Sequence, residues 1–165
     1  MQLALLHPQV VRKLVVVDIA PRAYSPRHER IIAAMLSLDL SRFQNRRDME
    51  AALAPAVPDL ATRQFLLKNI VRVEGAGFRW LLGLEQIRDN YARLTQPVQG
   101  GTPFDKPALF IRGSHSDFLV EADFPLIERL FPRARFATVP QAGHLVHVQS
   151  PELFVRLVED FLVGS

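Results

Sequence analysis

The sequence contains no cysteine among its 165 residues. A disulfide framework, a thiolate nucleophile and a cysteine-ligated metal site are therefore excluded. The sequence also lacks any apolar run near the roughly 20 residues that a membrane-spanning helix needs. The run Leu3-Ala4-Leu5-Leu6 is too short for a signal peptide and no basic residue precedes it. These absences predict a cytoplasmic protein with no membrane partner.

Clustered positive charge is missing as well. The net charge is only +3, from 20 Lys and Arg against 17 Asp and Glu, and the arginines are scattered among acidic residues. Even the densest group, Arg22 to Arg30, is interrupted by Pro26 and Glu29. Such a distribution is typical of a solvated basic surface, so we predict no nucleic-acid partner. With no phosphate-cradling glycine loop and no dinucleotide fingerprint, no cofactor is predicted either.

Three short apolar runs are present, at 14–17, 108–111 and 135–139. Runs of this length, without polar alternation, favour parallel strands covered on both faces. Helical patterns at 121–130 and 151–162 follow the second and third runs, and the last helix has Ser150 at its N-cap and Pro151 at its first position. This alternation predicts an α/β fold with a parallel sheet.

About ninety residues separate the first and second strands, far more than one crossover helix needs. They hold helical patterns at 29–38, 46–53, 60–71 and 81–94. We predict a core formed by 1–26 and 96–165, and a helical lid insertion at 27–95. The first strand would leave an open apolar edge. We therefore expect an incomplete core that lacks amino-terminal strands, and association with a chain that supplies the missing half, or self-association.

Polar residues follow all three predicted strands: Asp18, the loop at 113–117, and Gly143-His144. Ligands of open α/β sheets bind at the carboxyl ends of the strands. A histidine aligned there by a carboxylate forms the base half of a nucleophilic triad. Taken alone, such a histidine is also typical of an ordinary loop, and such an aspartate of a turn. His147 lies three residues from His144, but no third ligand has suitable spacing, so no metal site is predicted.

A wider set of segments resembles a known family. In chain order the segments are Val16-Val17-Asp18-Ile19-Ala20-Pro21, Phe65-Leu66-Leu67-Lys68-Asn69, Phe78-Arg79-Trp80, Pro107-Ala108-Leu109-Phe110-Ile111-Arg112-Gly113, Phe131-Pro132-Arg133-Ala134 and Ala142-Gly143-His144-Leu145-Val146-His147. The ordered set resembles the carboxy-terminal two-thirds of the bacterial YbfF-type and mitochondrial ABHD-eleven-type esterases of the α/β-hydrolase superfamily. The resemblance implies a partial α/β-hydrolase fold with the last three parallel strands of the sheet and an inserted lid.

The resemblance also implies a serine-type carboxylic ester hydrolase that acts on a small ester or thioester without a cofactor. His144 matches the triad histidine. In this subfamily the triad acid follows the first of the three strands, at the position of Asp18. In the broader superfamily it stands three residues after the glycine that ends the second strand, where this chain has Ser116 with Asp117 beside it. Asp18 is therefore the expected acid, and Asp117 is the alternative.

Four further residues are candidates for substrate binding. Phe78 and Trp80 fall in the predicted lid, where packing in the lid interior is the alternative to lining a pocket. His115 and Phe118 fall in the loop that follows the second strand, where His115 could equally be an exposed loop residue. A departure from the family at Leu82-Gly83-Leu84, where relatives often carry an asparagine, leaves the lid's substrate preference open.

The nucleophile of the family is missing. None of the seven serines has a glycine two places before it and two places after it, as the G-x-S-x-G elbow requires. The family's elbow helix continues into a segment like 1–8, so we expect this chain to begin after the nucleophile and the oxyanion hole. The isolated chain is then expected to be inactive. The alternative is a non-catalytic truncated fragment or pseudoenzyme that acts by binding a partner chain.

Overall fold

The computed structural model describes residues 1–75 and 77–164. Ser165, one of the serines considered above, lies outside the described residues. The chain forms two compact units, one made of 1–23 with 97–164 and the other of Tyr24–Gln96. Among the described residues, no helix is long and apolar enough to cross a membrane.

The first unit holds a parallel sheet of three strands with flanking helices. Its elements are α1 (Gln2–Leu6), β1 (Leu14–Val17), β4 (Ala108–Gly113), α6 (Phe124–Leu130), β5 (Ala134–Val139), α7 (Val146–Gln149) and α8 (Pro151–Val163), with 3₁₀ turns at Pro8–Val10 and Glu121–Asp123. The strand order is β1-β4-β5, so the central strand comes second along the chain within this unit. Val16 pairs with Phe110, which pairs in turn with Phe136.

The strands β1 and β4 are apolar along most of their length, as strands covered on both faces require, whereas β5 also carries the exposed Arg135 and Thr138. On one face, Leu109, Ile111 and Val139 pack with α7 and α8 through Val146 and Phe161. Elsewhere in the sheet, aromatic rings pack against one another, with Phe110 meeting Phe131 edge-on and Phe136 at a tilt. β4 is the most deeply buried strand because it has a strand on each side. Its carboxyl end is therefore held in a fixed position.

The second unit is mostly helical but also contains a β-hairpin. Its elements are α2 (Glu29–Ser37), α3 (Arg46–Leu53), α4 (Leu60–Leu67), β2 (Ile70–Val73), β3 (Gly77–Trp80) and α5 (Leu84–Leu94), with a 3₁₀ turn at Leu40–Arg42. Met35, Met49, Leu53 and Ile70 lie in its buried core. The helical pattern predicted over 60–71 was wrong at its end, because the helix stops at Leu67 and the chain then enters the antiparallel β2–β3 pair.

Two helix-end predictions also need correction. Ser150 does stand at the N-cap of α8, but its side chain makes no capping hydrogen bond. The helix predicted at 121–130 starts as a 3₁₀ turn and becomes α-helical only at Phe124, ahead of Pro125. In both places the proline, which has a fixed φ and needs no intrahelical donor, marks the first turn.

Candidate active site

Asp18 is fully buried at the carboxyl end of β1. Its backbone has a φ of 50°, a left-handed conformation that aspartate tolerates better than most residues. The Asp18 carboxylate accepts a hydrogen bond from the Gly113 N–H at 3.0 Å, one from the Ser116 hydroxyl, and one from His144 Nδ1 at 2.9 Å. A buried carboxylate is tolerated where its oxygens are supplied with donors in this way.

His144 reaches Asp18 from β5, two strands away, so its loop must cross the end of β4. Gly113 makes that crossing possible. A Cβ on Gly113 would overlap the carbonyl oxygens of Ala142 and Gly143 and would lie 2.8 Å from the Ala142 carbonyl carbon. The missing side chain of Gly113 therefore lets the backbone before His144 lie directly on the end of the central strand.

The loop that carries His144 is held by several hydrogen bonds. Gln141 adopts a φ of 58°, and its N–H donates to Ser114 Oγ at 2.8 Å. The Gly143 N–H donates to Gln149 Oε1 of α7 at 2.7 Å. Among the described residues, Asp18 and Gln141 are the two non-glycine residues with positive φ. Asp18 is one partner of the His144–Asp18 contact, and Gln141 lies three residues before the other. Uncommon backbone conformations of this kind are typical of functional sites.

The contact with Asp18 also fixes which imidazole nitrogen faces outward. An ionised carboxylate only accepts hydrogen bonds, so Nδ1 of His144 must carry the proton in their contact. In the neutral imidazole, Nε2 then has a free lone pair. The His144 side chain is 47% exposed while that of Asp18 is fully buried. The arrangement leaves Nε2 of a carboxylate-bound imidazole accessible to a proton donor.

Ser116 and Phe118 complete the surroundings of the pair. Ser116 Oγ donates to Asp18 and accepts the Phe118 N–H at 3.2 Å. The ring of Phe118 stacks on the imidazole of His144, with 3.9 Å between centroids and 26° between planes. Of the residues proposed from sequence, the structure thus brings Asp18, Phe118 and His144 together.

The other candidates make different contacts. Asp117 is exposed, and its backbone carbonyl accepts a hydrogen bond from Arg22 Nη2 at 2.9 Å. His115 is exposed, with its N–H bonded to the Ala142 carbonyl. Phe78 and Trp80 are half-buried against the core of the second unit. His147 packs edge-on against Phe154.

Two residues of the site were not singled out as functional by the sequence. Ser116 appeared only as the residue that stands where the wider superfamily has its acid, and Gly113 only as the end of a strand. Ser116 could have been predicted from the sequence, because a serine at the position of the superfamily's usual acid can still reach the Asp18–His144 pair with its hydroxyl group. The role of Gly113 depends on the crossing of the loop over β4, which spacing along the chain does not reveal.

No family model matches the chain. Comparison with individual proteins does find relatives. The sn-1-specific diacylglycerol lipase ABHD11 of Mus musculus is 37% identical over 98% of this chain, and the Esterase YbfF of Escherichia coli is 31% identical over 98%. A solved marine microorganism esterase superimposes with a TM-score of 0.88 at 38% identity over 94% of this chain.

The chain spans only part of each of these relatives: 54% of the mouse lipase, 62% of the Escherichia coli esterase and 62% of the marine esterase. These shares are somewhat smaller than the two-thirds that the resemblance implied. The parallel sheet, the flanking helices and the ordered motifs agree with these relatives along nearly the whole chain. The chain therefore belongs to the α/β-hydrolase superfamily, among its YbfF-type and ABHD11-type esterases, and it corresponds to a little over half of such a protein.

Proposed function

We propose that this chain provides the acid–base half of a serine-type carboxylic ester hydrolase, with His144 as general base and Asp18 as the acid that orients it. The observation that carries the proposal is the 2.9 Å contact between His144 Nδ1 and Asp18 Oδ2 at the carboxyl ends of β5 and β1. The esterase and lipase names of the relatives support the same reaction class.

In the proposed reaction, Nε2 of His144 takes the proton of a serine hydroxyl as its oxygen bonds to the acyl carbon. The imidazolium, stabilised by the Asp18 carboxylate, then returns that proton to the departing alcohol as the ester C–O bond breaks. A water molecule repeats the sequence on the acyl-enzyme and releases the carboxylic acid. Substrates are small esters or thioesters, and neither a metal nor a cofactor takes part.

The nucleophile must come from outside these 165 residues, because no serine in them lies in a G-x-S-x-G sequence. Ser116, the serine nearest the pair in the contacts described here, donates to Asp18 and so faces the acid, not Nε2. We propose that the polypeptide segment that carries the G-x-S-x-G elbow pairs with the edge of β1 that does not face β4. Within the first unit, exposed apolar side chains of Leu3, Leu6 and Val10 precede that strand.

We propose that the second unit, Tyr24–Gln96, acts as the lid that shapes the acyl pocket. Its aromatic residues Phe78 and Trp80 pack with its core, so their contribution to substrate preference is through the shape of the lid. His115 and Phe118 belong to the loop after β4, and Phe118 stacks on the proposed base.

A fusion protein tests the proposal. The amino-terminal part of the Escherichia coli esterase, where the family pattern places the G-x-S-x-G serine, is joined to Met1 of this chain. We expect a fluorophosphonate probe to label the fusion protein and a short p-nitrophenyl ester to be hydrolysed by it, whereas His144→Ala abolishes turnover. The isolated chain should show neither activity.

Two results would count against the proposal. Labelling or ester hydrolysis by the isolated chain would show that it holds its own nucleophile. A folded but inactive fusion protein would favour the second candidate function, in which the chain is a non-catalytic fragment that binds a partner; the missing elbow is the observation in its favour. The in-frame coding sequence before Met1 gives an independent check of the nucleophile's source. Codons for a G-x-S-x-G motif there would encode the missing serine.

A further inference from the structure

Phe118 and His144 come from different strand ends and meet face to face. Phe118 follows β4 and His144 follows β5, and their rings lie 3.9 Å apart at 26°. The His144 side chain is 47% exposed, so much of the imidazole is not held by surrounding protein. The stack with Phe118 is the ring contact of His144 that the structure describes.

The backbone of Phe118 is fixed by the same residues that hold the acid. Its N–H donates to Ser116 Oγ at 3.2 Å, and the Ser116 hydroxyl donates to Asp18. Its carbonyl accepts the N–H of Ala20 at 3.2 Å, two residues after Asp18. Together with the stack and the Asp18–His144 contact, these bonds close a ring of four residues: Asp18, Ser116, Phe118 and His144.

We propose that Phe118 is a positioning residue for His144, not a residue that lines the substrate pocket; this inference rests on the proposed function. The hydrogen bond to Asp18 fixes one atom of the imidazole but lets the ring swing about that contact. The stack fixes the plane of the ring. Held by both contacts, Nε2 keeps one direction, and water has less access to the hydrogen bond with Asp18.

An aromatic ring is suited to this task for an electrostatic reason as well. The face of a phenyl ring carries partial negative charge, which stabilises a cation placed over it. The imidazolium that forms when His144 takes a proton lies on that face. An aliphatic side chain of similar size would fill the space, but it would neither fix the plane nor favour the cation.

Nuclear magnetic resonance on this chain tests the proposal without any need for activity. In the unmodified chain, we expect the His144 ring protons to be shifted upfield relative to those of the exposed His7, and the Nδ1–H proton to be protected from exchange. In Phe118→Leu, the upfield shift should disappear and the Nδ1–H signal should broaden through exchange. Phe118→Tyr should restore both signals.

A matched control is available in the same unit. Phe124 stacks on Phe136 with 3.9 Å between centroids and 19° between planes. Phe124→Leu removes an equivalent stack away from His144 and should leave the His144 signals unchanged. If Phe118→Leu fails to fold, the ring shift and cross-relaxation between the two rings in the unmodified chain decide the matter. A protected Nδ1–H signal in folded Phe118→Leu, or no ring shift in the unmodified chain, would overturn the proposal.

The fusion protein separates this inference from the proposed function. There, Phe118→Leu should lower kcat about tenfold with little change in KM, and Phe118→Tyr should restore it. If the fusion protein is inactive while Phe118→Leu still releases the His144 signals, the proposed function fails and the positioning role stands. If the fusion protein is active and neither readout changes in Phe118→Leu, only the positioning role fails.

Discussion

Gly113 has no side chain and yet decides where His144 can lie. Because a Cβ at this position would overlap the backbone of Ala142 and Gly143, Gly113→Ala must push the His144 loop away from the end of β4. We expect a loss of about 1–3 kcal/mol in the free energy of unfolding, measured in urea, since these backbone atoms have little room to move. The Nδ1–H signal of His144 should be lost in the same variant.

Gly101→Ala is the control, because a Cβ on Gly101 meets no heavy atom within 4 Å. Its effect on stability should stay within about 0.5 kcal/mol. If Gly113→Ala were as stable as Gly101→Ala and kept the His144 signal, the crossing of the loop over β4 would not depend on this glycine.

The last carbonyls of helix α8 accept hydrogen bonds from Lys13, the residue just before β1 in the same unit. Lys13 Nζ donates to the carbonyls of Phe161 and Leu162 at 3.0 Å each, and also to that of Gly164. The last carbonyls of a helix have no intrahelical donors and carry partial negative charge, so a cation there stabilises the helix. We expect Lys13→Met to lower the free energy of unfolding by about 1 kcal/mol.

The exposed Lys68 supplies the comparison for that variant. Lys68→Met also removes a cation at a helix C-terminus, because Lys68 is the C-cap residue of α4. Chemical denaturation of the two variants therefore measures what the Lys13 hydrogen bonds add to such a charge, and equal stabilities would mean that these bonds add nothing measurable.

Asp59 is the N-cap residue of helix α4, and its carboxylate accepts the Thr62 N–H at 2.7 Å. Hydrogen bonds from the Thr62 side chain and backbone, together with the charge of Arg63, lower the pKa of Asp59 from 3.8. Because the folded-state pKa is below the unfolded value, this stabilisation is present above about pH 4 and is lost as the pH falls through the lowered pKa. Asp59→Asn should therefore cost stability at neutral pH and progressively less in acid.

The pH dependence is measured as the difference in urea midpoint between the unmodified chain and Asp59→Asn from pH 6 to pH 2. Asp105→Asn serves as control, because Asp105 is exposed outside any helix. A difference for Asp59→Asn that grew as the pH fell would contradict the assigned direction of the pKa shift.

Periodicity predicted the strands well and the hairpin poorly, for a physical reason. Leu14–Val17 is apolar at every position and has no exposed residue, so its composition alone indicates a strand covered on both faces. Ile70–Val73 is of the same length but includes the exposed Arg72, and it is a strand because it pairs with Gly77–Trp80. Such pairing is a tertiary contact that a helical pattern over 60–71 conceals.

In the candidate site, too, some features could be predicted from the sequence and others depend on tertiary contacts. His144 and Asp18 were predicted because strand ends in a parallel sheet meet at one edge, and because the ordered motifs resembled a family. The stack of Phe118 on His144 and the bond from Ser116 to Asp18 depend on the path of the loop after β4. Several backbone conformations of such a loop are compatible with the same residue spacing, so the sequence does not determine that path.

As a whole, the chain corresponds to 54–62% of the length of the mouse and Escherichia coli relatives described above. In the first unit, the half-exposed His144 meets the buried Asp18 beside a sheet whose first strand, β1, pairs only with β4 among the residues described. Whether the chain takes part in catalysis therefore depends on the nucleophile that reaches Nε2 of His144. The identity of the acid can be measured separately, in the same fusion protein.

The most direct measurement compares Asp18→Asn with Asp117→Asn in the fusion protein, using p-nitrophenyl ester turnover and fluorophosphonate labelling. If Asp18 orients His144, Asp18→Asn should lower kcat by about 10³-fold or more, because the asparagine amide holds the wrong imidazole tautomer. Asp117→Asn should leave kcat close to that of the unmodified fusion protein, since Asp117 is exposed. The reverse order of losses, or full activity in Asp18→Asn, would contradict the assignment of His144 and Asp18 as the acid–base pair.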